Sequence, residues 1–119
     1  MARRYKFNPS TSYFEYDDTQ EFKSVDLVNV DANTTQSIEV DTIGYNSFIG
    51  IFAKATDPTT FHVFVRNKPE HEWTEAYVSS SPENSVSFEL VQKFRYVKLQ
   101  SDPTGVDGSK VNLHIICRR

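Results

Sequence analysis

One cysteine, one methionine and four glycines in 119 residues exclude several kinds of protein at once. A lone thiol, Cys117, cannot close an intrachain disulfide, so a cystine-stapled scaffold is ruled out. Zinc sites built from paired cysteines lack their second sulfur for the same reason. Gly44, Gly50, Gly105 and Gly108 are scattered and make no phosphate-cradling loop. No apolar run approaches membrane-spanning length. Met1-Ala2-Arg3-Arg4 leads into polar residues, not into the apolar stretch of a secretory signal, so export by the usual route is not expected. Leucine and alanine are scarce, and no stretch keeps helical periodicity beyond about two turns, which argues against a helical bundle. A mean hydropathy of -0.52 points to a wet surface over a modest core.

Aromatic residues are plentiful, with nine Phe, six Tyr and one Trp, or 13% of the chain. Large rings suit sheets, where they cover the inner faces. The net charge of -3 is unevenly placed: Arg3, Arg4, Lys6, Arg118 and Arg119 contribute +5, which leaves -8 on the remainder. An acidic body with basic ends does not fit a general nucleic-acid binder, and neither nucleic acid nor membrane is an expected partner. Those ends suit an acidic surface.

The segment Phe94-Arg95-Tyr96-Val97-Lys98-Leu99-Gln100-Ser101 places Val97 and Leu99 on one face of a strand, with Phe94 and Tyr96 on the other. Val111 to Cys117 alternates as cleanly, and the loop Asp102 to Gly108 joins the two. This pair is expected to form the organising hairpin. Before it, Val25, Leu27 and Asn29 share one face of a strand. Ile38, Val40 and Thr42 share another, as do Ile49, Ile51 and Ala53, with Phe48 and Phe52 opposite. Gly50 marks a bulge or a close approach. Asp57-Pro58-Thr59-Thr60 reads as a turn. Phe61, Val63 and Val65 alternate with His62, Phe64 and Arg66; Trp73 to Val78 is a weaker strand; Val86, Phe88 and Leu90 share a face. Turn signals at roughly ten-residue spacing predict an all-β fold. The expectation is a single antiparallel β-sandwich of jelly-roll type, with about eight strands over residues 17–119 and an extended N-terminal arm over 1–16.

No pattern of catalysis emerges. There is no G-x-S-x-G elbow, and Cys117 falls in phase with Val111, Leu113 and Ile115, as a buried inert thiol does. His62, His71 and His114 lack metal-ligand spacing. The acids from Asp102 to Asp107 sit beside Pro and Gly, as turn formers do. No enzyme activity, cofactor or metal is therefore expected. Sugar binding would use aromatics beside planar polar groups near loops, and Tyr45, Arg66, Trp73 and Tyr77 are the candidates.

Two resemblances bear on function. Phe94-Arg95-Tyr96-Val97-Lys98-Leu99 resembles the R-Y-V-[KR]-[LI] strand of galactose-binding, discoidin-like sandwiches. Ile49 to Ala53, Phe61 to Val65 and Trp73 fall where such domains place an inner strand, the next strand and a Trp, so the likeness runs from about Val25 to Cys117. It implies a carbohydrate-binding or adhesion module, although the paired cysteines of secreted discoidin domains are absent. The order of polar start, buried strand, F-x-V-x-V, Trp, Ser-rich loop, F-R-Y-V-K-L and V-x-L-x-I also resembles small phage structural proteins. That likeness implies a capsid decoration or cement protein (or a tail component) made in the host cytoplasm and carried on the virion surface, commonly as a trimer. Its partners would be the major capsid protein and copies of itself. On that reading Arg3, Arg4, Tyr5, Lys6, Phe7, Tyr13, Phe14, Tyr16, Arg118 and Arg119 form the partner-binding set.

Overall fold

Strict alternation of apolar and polar residues decides which side of each strand meets the core. The computed structural model describes residues 22–79 and 81–119 in full, and the backbone of two earlier strands, β1 (Tyr5–Asn8) and β2 (Tyr13–Tyr16). Eight strands follow: β3 (Phe22–Asp31), β4 (Gln36–Asp41), β5 (Phe48–Thr59), β6 (Phe61–Arg66), β7 (Thr74–Val78), β8 (Glu83–Glu89), β9 (Tyr96–Ser101) and β10 (Lys110–Arg118). They make two four-stranded antiparallel sheets: sheet I, ordered β3-β10-β5-β8, and sheet II, ordered β4-β9-β6-β7. The pairs β3/β10, β4/β9, β5/β8 and β6/β7 nest one inside the next. The chain is thus a long double ribbon, bent at the β6–β7 connection. It is rolled so that β10 also meets β5, and β9 also meets β6. This is the jelly roll expected from the sequence.

The core lies between the sheets. Sheet I contributes Ile49, Ile51, Ala53, Val111, Leu113, Ile115 and Cys117; sheet II contributes Ile38, Val40, Phe61, Val63, Val65, Val97 and Leu99, all buried. Fully burying a Val, Leu, Ile or Phe side chain contributes about 1.5–3 kcal/mol. Burial also pushes the Cys117 thiol up to about 11, so the thiolate is suppressed at neutral pH.

Four details depart from the sequence reading. The expected hairpin from Phe94 to Cys117 does not form. β9 pairs with β4 and β6, whereas β10 pairs with β3 and β5, so the loop after Ser101 crosses from one sheet to the other. Both strands present an apolar face to one core, and facing it from opposite sheets buries both.

In β3 the phase slips. Val25 and Leu27 pack inward as read, but Val30, not Asn29, is the next to do so. A bulge intervenes between the pairs Leu27–Leu113 and Val30–Val111. It holds Asn29 at φ 56 and leaves Val28 68% exposed. Asn tolerates this left-handed geometry, and its N–H donates to Asn112 Oδ1 at 2.6 Å.

The Asp57–Thr60 turn is instead the end of β5, past a register shift, with Thr60 alone separating it from β6. Pro58, lacking an N–H, falls where the ladder is interrupted. Thr59 pairs in sheet I and Phe61 in sheet II, so the chain changes sheet across Thr60. Thr59 Oγ1 donates to the Asp102 carbonyl at 2.5 Å and ties this corner to the crossing loop.

The arm, finally, is not extended throughout. β1 and β2 pair antiparallel, Tyr5 opposite Tyr16 and Phe7 opposite Phe14.

Candidate functional site

The outward positions of sheet II stand in three rows, because cross-strand partners share a face. Ser37, Gln100, His62 and Val78 form one row; Glu39, Lys98, Phe64 and Glu75 form the next. Asp41, Tyr96 and Arg66 form the third, and Trp73 lies just before β7 beside Arg66. Apart from Val78, 44% exposed, the chain supplies this face with rings, charges and polar groups.

These groups interleave. Lys98 Nζ lies 5.0 Å from the Phe64 ring centre and 4.9 Å from that of Trp73. The Arg66 guanidinium covers the Trp73 ring at 4.1 Å and stands 5.8 Å from Tyr96. Arg95 approaches Tyr96 from the loop before β9, at 5.1 Å. Ring and cation thus alternate from Phe64 to Arg95. Each such contact is worth about 0.5–1 kcal/mol at an exposed site and fixes the orientation of its ring.

The two ends of the face are closed by ion pairs. Arg95 grips Asp41 with Nε on Oδ1 at 3.2 Å and a terminal nitrogen on Oδ2 at 3.1 Å. This guanidinium holds the Asp41 carboxyl below the usual carboxylate range. At the other end the His62 ring bridges two acids, Nδ1 to Glu75 at 2.8 Å and Nε2 to Asp102 at 2.9 Å. Burial opposes a charge on this ring. Hydrogen bonds and attraction from Asp102 and Glu75 outweigh that penalty, so its pKa is raised above 6.5. The ring also stacks on Phe64, with centres 5.7 Å apart and planes 15° from parallel.

Of the four sugar-binding candidates, Arg66 and Trp73 come together here. Tyr77 faces the core side, its ring 4.4 Å from that of Phe88. Tyr45 lies in the loop between β4 and β5, where its hydroxyl accepts from Arg119 at 3.2 Å and its ring sits 4.8 Å under that guanidinium. Arg118 stands 6.0 Å from the Phe48 ring, outside sheet I. Arg3, Arg4, Tyr5, Lys6, Phe7, Tyr13, Phe14 and Tyr16 lie outside the residues whose side chains are described. Among the described residues, no group of three or more His, Cys, Asp or Glu is placed to hold a metal ion.

Reading the sequence missed Phe64, Tyr96, Lys98 and the His62 bridge. The signal was present in the polar phase of F-H-V-F-V-R and Y-V-K-L-Q. Only the β6–β9 register shows that these two phases are neighbours.

No family model and no curated protein matches the sequence. Comparison with solved structures does find matches. Chitosan-binding module 1 of a chitosanase/glucanase from Paenibacillus sp. IK-5 superposes with a TM-score of 0.50 at 13% identity, over 77% of this chain and 75% of that one. A Bacillus endospore appendage protein, from disulfide-linked pili, gives 0.49 at 16% identity over 82% and 84%. CpGH89CBM32-6 from Clostridium perfringens gives 0.39 at 19% identity over 83% and 93%. At 13% identity the likeness to the chitosan-binding module concerns the β-sandwich fold alone.

Proposed function

We propose that this chain is a non-enzymatic carbohydrate-binding module that seats a glycan across the outer face of sheet II. The observation that carries this reading is the run of rings and cations from Phe64 through Trp73 to Tyr96. Sugar rings stack their C–H faces on aromatic planes, and their hydroxyls bond to planar polar groups at the rim. Gln100, Glu39 and Ser37 supply such groups beside the rings. The fold likeness to a chitosan-binding module supports the scaffold as one that presents a sugar site. Because neighbouring cations already hold the rings, little side-chain entropy remains to be lost on binding.

The test is binding of the purified chain to a panel of polysaccharides, by calorimetry or affinity electrophoresis. Trp73→Ala is expected to weaken binding about tenfold or more, with the thermal midpoint little changed. A panel with no ligand, or a Trp73→Ala variant that binds as well as its parent, sinks the proposal.

A second reading is favoured by the other outer face. Phe22 is 50% exposed and Phe52 39%, and Phe48 and Ile116 lie beside them on sheet I. An apolar outer patch of this kind suits a contact with another protein. On this reading the module is a virion decoration protein, joined to the major capsid protein and to copies of itself as a trimer through this patch, the N-terminal segment and Arg118. Light scattering and cosedimentation with empty capsid shells test it. A monomer that ignores shells removes it.

A further inference from the structure

Building on the carbohydrate reading, we infer that the sugar this face takes is acidic, bearing a carboxylate or sulfate group that Lys98 and Arg66 receive. The charged groups at the two ends of the face are engaged with each other, one to one at Arg95 and with one carboxylate in excess at His62. Asp41 is held by Arg95, while Glu75 and Asp102 are held by His62. The middle is different. Lys98 is half-buried, yet among the described residues it has no ion-pair or hydrogen-bond partner, only the rings of Phe64 and Trp73. Its cross-strand neighbour Glu39 is exposed and makes no ion pair with it.

Arg66 is similarly underused. One of its terminal nitrogens donates to the His71 carbonyl at 3.2 Å, and its Nε is shut off from solvent with no acceptor. Two cations that share the Trp73 ring and have no carboxylate within ion-pair distance among the described residues favour an anion. Guanidinium offers a planar fork to carboxylate or sulfate, and ammonium adds a point charge that tolerates either geometry. The same charges disfavour a polycation. This separates the chain from the chitosan-binding module that shares its fold, since a glucosamine polymer carries ammonium groups of its own.

The experiment compares matched polymers that differ only in charge. The intact chain is titrated with polygalacturonate and its methyl ester, with dextran sulfate and dextran, and with chitosan. A charge-assisted contact predicts that at least one acidic polymer binds about tenfold tighter than its neutral partner at low salt. Which acidic polymer does so distinguishes carboxylate from sulfate as the source. Lys98→Met is expected to remove that preference while residual binding to the neutral polymer persists. Lys98→Arg is expected to restore it, and equal thermal midpoints for the three proteins exclude unfolding as the cause. Equal affinity for acidic and neutral polymers, or preference for chitosan, overturns the inference and leaves the carbohydrate reading standing. Binding to none of the five overturns both.

Discussion

The two outer faces of this sandwich ride on the same core and have solved the same problem differently. On sheet I the rings of Phe48 and Phe52 close over Gly50 from either side, with Ile116 beside them. A Cβ at Gly50 would meet those three side chains at 2.8, 2.9 and 3.0 Å. The patch fills itself, and His114 leans on Phe52 with ring centres 5.9 Å apart. On sheet II the rings are held apart by cations and keep polar company. A ring that packs on its apolar neighbours offers a partner only apolar surface. A ring wedged between charges stays available, because a ligand group can take over the contact without exposing apolar surface. The difference lies in what surrounds the rings, not in how many there are.

The comparison can be broken at four points. Leu113→Ala, in the layer both faces share, is expected to cost about 2–5 kcal/mol by urea denaturation, and to weaken every property of both faces together. If one face kept its behaviour in a protein so destabilised, the two would not depend on one core. Next comes the pair Trp73→Ala and Phe52→Ala. The first should lower polysaccharide affinity about tenfold and the second leave it unchanged, by the same calorimetric titration. Equal losses would erase the distinction between the faces.

A third test uses pH. The folded-state pKa of His62 is raised above 6.5, so its contribution to stability is complete below that value and is lost as pH climbs through the folded pKa. Thermal midpoints measured from about pH 5 to 9 should therefore fall toward the alkaline end, and His62→Gln should flatten that slope. An unchanged slope in the variant would assign the pH dependence elsewhere. The smallest effect is expected of Gly50→Ala. The added methyl pushes exposed ring ends, which can swing outward, and alanine recovers about 0.5–1 kcal/mol of backbone entropy, so net stability should move by less than about 1 kcal/mol. Binding of a hydrophobic dye should rise as Phe48 and Phe52 open.

The sandwich was legible because its strands alternate so strictly. Ile38 and Val40, Phe61 to Val65, Val97 and Leu99, and Val111 to Cys117 all point inward as their phase predicts. What a phase cannot express is pairing. Leu99 faces Val63 and Ile38 across the sheet, residues far away in the chain, while its sequence neighbour β10 belongs to the other layer. The bulge at Asn29 escaped for a related reason, since one extra residue inverts a phase without altering composition. Arg66 and Trp73 were legible, with Tyr45 and Tyr77, as ring and planar polar groups on or near loops. Lys98 was not, because its meaning comes from two rings delivered by other strands.

The nested ribbon also sets an order of events. Each of its strand pairs except the innermost joins segments separated by long stretches of chain, so closing it carries a loop-entropy cost that local contacts do not share. Slow folding, in the millisecond-to-second range typical of such topologies, follows from that. On a ribosome the constraint is sharper. β9 sits in the middle of sheet II, between β4 and β6, and its residues 96–101 are made after both of those neighbours. Until they emerge, Phe64 and Trp73 have no Lys98 to flank them, and the binding face does not yet exist.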